Sequence, residues 1–445
     1  MDWIIDRLKV FEESEALIVS EESYTYSDII TNIELWKLRL QMDNVKSKEV
    51  VALFGDFCPE MLFAMFSLII NENIVVPIST EKQDKLEIML TDARVDKVYV
   101  FKSDSIECKV RQNTESHELL EIIRNERDAG VVIFTSGSTG NGKCALHRFS
   151  NMTERFREGI GRKALRSLIF LKMDHIGGIN TIFSILFQGG TMILINDRRV
   201  ANVCGLIEKH KVELLPTTPS FINMMIISGA LKDYDLSSLV LITYGTEPMP
   251  ETTLKTLSIE LPGVKLKQTY GLTELGIFPT KSKDNSSTWM KVGGDKVEVE
   301  IRDDVLFIRS KYAMLGYLNA PSPFDDEGWY NTGDKVEIND EYIHILGRRE
   351  EIINVGGEKV FPAEIEGVLS SIPNVLDVVV RGKPNPITGQ IVTATFQLKE
   401  YEDDKAFRKR VMAYCKDQLE PYKIPKMIYI SESGFIGANL KKQRL

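Results

Sequence analysis

The sequence predicts an α/β protein in two parts: a large N-terminal domain of layered α/β subdomains ending in a β-barrel-like antiparallel segment, and a small, mobile C-terminal α/β domain. Three observations predict it. Short β-branched runs alternate with longer apolar stretches through the first half, the pattern of a largely parallel sheet covered by helices. After about residue 285 the texture changes to strict alternation about Asp-Asp and Asn-Asp pairs, the pattern of antiparallel hairpins. The polar stretch Gly347-Arg348-Arg349-Glu350-Glu351 then reads as a hinge before a shorter α/β unit. The expected domains are residues 1–347, with the antiparallel segment at about 286–347, and residues 348–445.

In chain order, Ser27 is the expected cap of a helix whose Ile29, Ile33, Trp36 and Leu40 make one apolar face. Val50 to Phe54 reads as a strand, Met61 to Ile70 as a buried helix, and Ile74-Val75-Val76 as a short strand stopped by Pro77. Ser167 to Leu171, Gly190 to Ile195, Val212 to Pro216 and Leu239 to Tyr244 continue the alternation. Hairpins are expected about Asp303-Asp304 and Asn339-Asp340. In the last unit Pro362 sits like the first residue of a helix, Val392, Ala394, Phe396 and Leu398 alternate as a strand, and Phe407, Val411, Cys415 and Leu419 stripe a final helix.

At 445 residues, 43% hydrophobic and 27% charged, the chain has the composition of an ordinary soluble protein too long for one core. A net charge of −9 argues against a general nucleic-acid or anionic-membrane surface. Five cysteines without C-x-x-C spacing indicate neither a zinc site nor a disulfide framework, which fits a reducing, cytoplasmic setting. The amino terminus lacks a signal-peptide layout, and the longest apolar run, Met61 to Ile70, is far short of the ~20 residues a membrane span needs.

The stretch Phe134-Thr135-Ser136-Gly137-Ser138-Thr139-Gly140-Asn141-Gly142-Lys143 follows the apolar run Val131-Val132-Ile133 and collects glycines, hydroxyls and a lysine. Glycines let backbone approach a ligand, hydroxyls and N–H groups donate to phosphate oxygens, and the lysine adds a point charge, so this reads as a phosphate loop. A Walker A motif needs a Ser or Thr after its lysine to ligate Mg²⁺, and here that residue is Cys144. The capping pattern Asn151-x-x-Glu154 also puts the next helix well downstream, so Lys143 to Phe149 reads as a second strand. No Asp closes Leu239 to Tyr244 as a Walker B would, and a P-loop NTPase is disfavoured.

Strand, Thr-Ser-Gly-Ser-Thr-Gly loop and strand resemble the adenylate-forming superfamily of acyl-CoA synthetases, adenylation domains and luciferases. Further motifs follow in that family's order. Gln268-Thr269-Tyr270-Gly271-Leu272-Thr273-Glu274 is similar to its Tyr-Gly-x-Thr-Glu block. By that resemblance Tyr270 stacks on adenine, Thr273 bonds phosphate, and Glu274 holds a Mg²⁺ that bridges ATP phosphates. Gly245, Thr246 and Glu247 resemble the loop that flanks adenine. Trp329-Tyr330-Asn331-Thr332-Gly333-Asp334 resembles the signature whose aspartate accepts both ribose hydroxyls, with Arg348 adding a ribose or phosphate contact. Near the carboxyl end Lys441 resembles the catalytic lysine that binds carboxylate and α-phosphate, although Leu440 stands where Gly is usual and Lys442 could shift the register by one.

Asp174-His175-Ile176-Gly177-Gly178 resembles the His-x-x-Gly segment beside the acyl pocket, where His175 serves chemistry or only shape. Amino-acid-activating relatives place an Asp after that position to pair with an α-ammonium. An apolar Ile176 cannot, which favours an acid without an α-amino group, unless Asp174 reaches in instead. Glu350, where Asp is usual, takes the hinge position, and Gly356-Gly357 resemble the loop that lets a pantetheine arm pass. Gly142 for Pro and Cys144 for Gly are further departures. The resemblance implies ATP, Mg²⁺ and coenzyme A, and a ligase that activates a fatty or aryl acid as acyl-AMP and transfers it to coenzyme A. Loading a separate carrier protein, a luciferase-like oxidation, or a non-catalytic adenylate-binding module are the alternatives.

Overall fold

The computed structural model describes residues 1–111, 116–135, 142–157, 163–195, 197–294, 296–431 and 435. Two seven-stranded, mainly parallel sheets form the large domain. In the first, Val50–Phe54, Ile74–Ile78, Lys97–Phe101 and Gly130–Phe134 run parallel, with Ile106–Val110 antiparallel at one edge and Cys144–Arg148 then Gly316–Tyr317 antiparallel at the other. In the second, Lys265–Gln268, Leu241–Tyr244, Leu214–Thr217, Arg166–Ile169, Thr191–Leu194 and Glu15–Val19 are parallel and Glu22–Thr25 closes the edge antiparallel. The largest core cluster joins them, drawing Leu53, Val75 and Ile133 from the first sheet and Leu17, Ile169 and Met192 from the second, with helices Tyr26–Met42, Pro59–Ile70 and Ile176–Leu186 contributing between. This is why the helix Pro59–Ile70 is apolar on every face from Met61 to Ile69: each of those residues is buried.

An antiparallel six-stranded sheet follows, in the order Thr280–Ser282, Met290–Val292, Tyr342–Arg348, Tyr330–Asn339, Val305–Ser310, Val297–Arg302. Both expected hairpins are in it, with Asp303, Asp304 and Asp340 at positive φ in the turns. The smaller C-terminal unit has a five-stranded sheet in which Gly389–Leu398 pairs antiparallel with Val375–Asn385 and parallel with Met427–Ile430, backed by helices Pro362–Leu369 and Asp404–Gln418. Cys415 is core filling there.

Three local expectations are corrected. The first long helix is capped by Thr25, not Ser27, through a reciprocal box with Asp28. Pro77 does not stop its strand, because Gly130–Phe134 pairs only with Ile74 and Val75 and the ladder on that side has ended before the proline. The helix after the phosphate loop starts at Phe149, so Asn151 lies inside it and instead donates to the Lys311 carbonyl. Phe149 opens the helix early because it is fully buried, edge-on to Phe183.

Candidate active site

The phosphate-loop strands meet as an antiparallel pair with Phe134 opposite Cys144. Thr135 and Lys143 close the mouth of the loop: Thr135 N–H donates to the Lys143 carbonyl at 2.9 Å, and Lys143 N–H donates to Thr135 Oγ1 at 3.1 Å. Ser136, Gly137, Ser138, Thr139 and Gly140 lie outside the described residues. A Cβ at Gly142 would lie 2.5 Å from the Thr135 carbonyl oxygen, so this backbone requires the glycine that replaces the expected proline.

Opposite this mouth, Tyr270–Leu272 and Gly276–Phe278 form a small hairpin whose turn carries Thr273 and Glu274. Gly271 is needed there, since a Cβ would meet the Gly276 carbonyl oxygen at 2.5 Å. Tyr270 is buried, lies alongside Phe278, and donates its hydroxyl to Asp334 Oδ2 at 2.6 Å. Asp334 is paired in register with Arg348 on the adjacent strand, whose Nε is 3.6 Å from Asp334 Oδ1. Burial pushes the Asp334 carboxyl above the ordinary aspartate range, opposed by the Tyr270 hydroxyl and the Arg348 guanidinium. Glu274 is only 8% exposed and accepts from Tyr317 Oη. The Tyr330 hydroxyl also reaches it. Tyr270, Glu274, Asp334 and Arg348 thus come together around one hairpin.

Gly245, Thr246 and Glu247 follow the strand Leu241–Tyr244. Gly245 packs on Thr269, whose Oγ1 would be 2.5 Å from an added Cβ. Thr246 is exposed at φ +73°, a strained position for a β-branched residue costing about 1–3 kcal/mol. The Glu247 carboxylate accepts from the Ser220 N–H at 2.8 Å, in the first turn of Pro219–Ile227, where helix polarity favours an anion.

His175 is the N-cap of Ile176–Leu186, its Nδ1 accepting from Gly177 N–H at 3.1 Å, so the neutral ring carries its proton on Nε2. Asp174 is buried, 2.6 Å from Lys82 Nζ, and accepts from Ser79 Oγ at 2.8 Å. Burial alone would raise its pKa, but the Lys82 ammonium and the Ser79 donors hold it below the usual range. Phe221 and Met225, which follow Thr218 on the helix Pro219–Ile227, are fully buried core residues.

In the smaller unit Glu350 sits in a short 3₁₀ turn, Arg349–Glu351. Gly356 and Gly357 form the two-residue turn between Ile353–Val355 and Glu358–Val360, at φ +62° and +96°, with open space where a Cβ would be. Lys441 lies outside the described residues.

Two residues that sequence reasoning missed bear on this site, Tyr317 and His147. His147 lies on Cys144–Arg148, is 1% exposed, and hydrogen-bonds the main chain of Thr273. Burial pushes its pKa down to about 4. The unfolded chain binds that proton near 6.5, so the full contribution is present above pH 6.5 and is lost as pH falls toward 4. The depression corresponds to about 3 kcal/mol over that window. Between pH 7 and 4.5, His147→Gln is therefore expected to lose less thermal stability than the parent. Equal losses in both proteins would contradict the assignment.

Comparison with known proteins places the chain in a family. The AMP-binding enzyme family matches residues 6–318, and the AMP-binding enzyme C-terminal domain matches residues 364–434. The chain is 25% identical over 482 residues to the 2-succinylbenzoate–CoA ligase of Bacillus pumilus, covering 100% of this chain and 96% of the relative. Its fold superposes on an anthranilate CoA ligase in complex with anthranoyl-AMP at TM-score 0.83 and 20% identity, covering 99% of this chain and 95% of the other. It superposes on the Bacillus subtilis o-succinylbenzoate CoA synthetase in complex with its acyl-adenylate intermediate at TM-score 0.79 and 21% identity, covering 99% and 96%. A match over more than two thirds of its length, joined by a second match to the C-terminal unit, establishes that the chain belongs to the family of AMP-binding enzymes.

Proposed function

We infer that this enzyme is an ATP-dependent acid–thiol ligase that activates a fatty or aryl acid as acyl-AMP, releases pyrophosphate, and transfers the acyl group to coenzyme A. The observation that carries the reading is the hairpin that unites a ribose-type acceptor, Asp334 beside Arg348, with the buried Glu274, whose partner Tyr317 lies under the phosphate-loop lysine. Nucleotide and phosphate groups are wanted at those two ends.

In the first half-reaction a carboxylate oxygen of the acid attacks the α-phosphorus of ATP and pyrophosphate leaves. Asp334 accepts from the ribose hydroxyls with the capacity Tyr270 leaves it, and Arg348 adds a donor. A base stacked on Tyr270 would use the face that Phe278 does not cover. Lys143, Thr135, Thr273 and the loop residues Ser136, Gly137, Ser138, Thr139 and Gly140 supply phosphate donors, with Gly245 to Glu247 flanking the base. Lys441 neutralises charge that develops between the two anions.

A Mg²⁺ ion accompanying the nucleotide would be held by one protein carboxylate together with the substrate phosphates. Glu274 fits that role, being buried and rich in unused acceptor sites. When bound, Mg²⁺ would neutralise phosphate charge. In the second half-reaction the small domain, from about residue 348, rotates about Glu350 and brings Gly356-Gly357 to the site. A thiol sulfur then attacks the acyl carbon, AMP leaves, and the thiol proton is lost to solvent.

The buried Lys82–Asp174 pair supports an acid without an α-amino group, because the Asp174 carboxylate is already paired with a cation and Ile176 offers a substrate ammonium no carboxylate. His175 shapes the acyl end through its cap on the helix. Five free thiols support a reducing, cytoplasmic setting, and among the described residues no helix is long and apolar enough to cross a membrane.

Pyrophosphate release should be measured with ATP, Mg²⁺ and a panel of fatty, aryl and amino acids, each with and without coenzyme A. Sustained turnover only with an apolar acid and coenzyme A together is the expected result. Release that stalls after one equivalent until a holo carrier protein is added would move the acceptor to a carrier. No release with any acid would overturn the ligase reading.

A further inference from the structure

The segment from Met314 to Asn319 is a strap that ties the Thr273-Glu274 turn to the phosphate-loop strand. At one end Met314 N–H donates to the Glu274 carbonyl at 2.8 Å. Along its length Leu315 N–H donates to the Leu146 carbonyl and Leu318 N–H to the Cys144 carbonyl, each at 2.8 Å, and Tyr317 pairs in register with Ala145. At the far end the Asn319 side chain accepts from Cys144 N–H at 2.8 Å while donating to the Gly142 carbonyl at 3.2 Å and to Asp92 at 2.9 Å.

Tyr317 sits in the middle of this strap and is only 3% exposed. Its hydroxyl donates to Glu274 Oε1, and the Lys143 ammonium lies over its ring at 5.0 Å from the centroid. One side chain thus meets the loop cation with its electron-rich face and the buried carboxylate with its only donor. A carboxylate has about four lone-pair sites, so the Tyr317 and Tyr330 donors leave Glu274 room for a cation.

We propose that Tyr317 is a positioning residue for the triphosphate end of the site, fixing the Glu274 carboxylate against rotation and holding Lys143 beside it so that magnesium-bound triphosphate meets both. This rests on the reading of Glu274 as the magnesium-facing carboxylate. Tyr317 itself touches neither the acid nor the reacting phosphorus, and acts through its two neighbours.

The test is ATP binding by calorimetry at a series of Mg²⁺ concentrations, without acid, on the parent, Tyr317→Phe, Tyr317→Leu and Glu274→Gln. Tyr317→Phe keeps the ring under Lys143 and removes only the donor, so the Mg²⁺ concentration for half-maximal ATP affinity should rise about ten-fold, the size expected for a hydrogen bond to a charged group. ATP binding without Mg²⁺ should stay as in the parent for Tyr317→Phe and weaken for Tyr317→Leu, which also frees Lys143. A Tyr317→Phe protein with the parent's Mg²⁺ requirement, alongside a Glu274→Gln protein that has lost it, would overturn the role of Tyr317 and leave Glu274 standing. An unchanged requirement in Glu274→Gln would overturn the metal reading and the inference together. The thermal midpoint of each apo variant shows that the comparison is between folded proteins.

Discussion

Replacing Lys441 with alanine is expected to slow acyl-AMP formation by about 10²–10³-fold, the loss seen when one preorganised charge partner is removed from a developing anion. The effect should be confined to the first half-reaction. With synthetic acyl-AMP supplied, transfer to coenzyme A should proceed at close to the parent rate, because that step has no two anions to bring together. Lys442→Ala should change either step by less than about three-fold, the size expected of a charge that does not contact the reacting groups. Stopped-flow pyrophosphate release and thioester formation, measured separately for both variants, check this. A large loss in Lys442→Ala with none in Lys441→Ala would shift the catalytic lysine by one position.

The second large effect is at Asp334. It is 7% exposed, accepts from Tyr270 Oη and faces Arg348, and under the proposed function its carboxylate accepts two ribose hydroxyls. Hydrogen bonds to a charged acceptor contribute about 1.5–3 kcal/mol each, so Asp334→Ala should weaken AMP binding by at least about 100-fold. AMP is the right probe because its binding involves neither the acid nor pyrophosphate. Asp334→Asn, which keeps one acceptor oxygen for Tyr270 but removes the charge, should fall between the two. The parent should also lose AMP affinity on acidification, beginning above the pH where an ordinary aspartate of pKa 3.8 protonates, because burial has raised this carboxyl. Asp334→Asn should lack that acid dependence. Calorimetric AMP affinities within three-fold of the parent for Asp334→Ala would rule out the ribose role.

Much of the scaffold was legible because its signals are local. The β-branched run Val131-Val132-Ile133, the loop after it and the strand at Cys144–Arg148 lie within 20 residues, and the switch to antiparallel hairpins is announced by its Asp-rich turns. Errors arose where a tertiary contact outweighed a local one. Thr25 displaced Ser27 as cap because only Thr25 finds Asp28 in the reciprocal position, and Phe149 drew the helix start back toward the core. The triphosphate end was only half legible. Glu274 belongs to a recognisable block, but its partner Tyr317 comes 43 residues later, and nothing in the Gly316-Tyr317 pair announces a donor for a buried carboxylate. His147 was hidden for the same reason, since its bond to the Thr273 main chain exists only once two distant segments are packed together. Asp174 shows the converse: the sequence left it free to reach toward a substrate ammonium, and the structure binds it to Lys82 and Ser79.

In the proposed reaction a carboxylate oxygen attacks the α-phosphorus and a thiol later attacks the acyl carbon. The measurement that tests it most directly uses an apolar acid labelled with ¹⁸O in its carboxylate, turned over with ATP and coenzyme A, followed by mass spectrometry of the nucleotide product. AMP carrying one ¹⁸O from the acid is the expected product, because the bridging oxygen of the acyl-AMP leaves with the phosphate. Unlabelled AMP, or ADP as the nucleotide product, would contradict it.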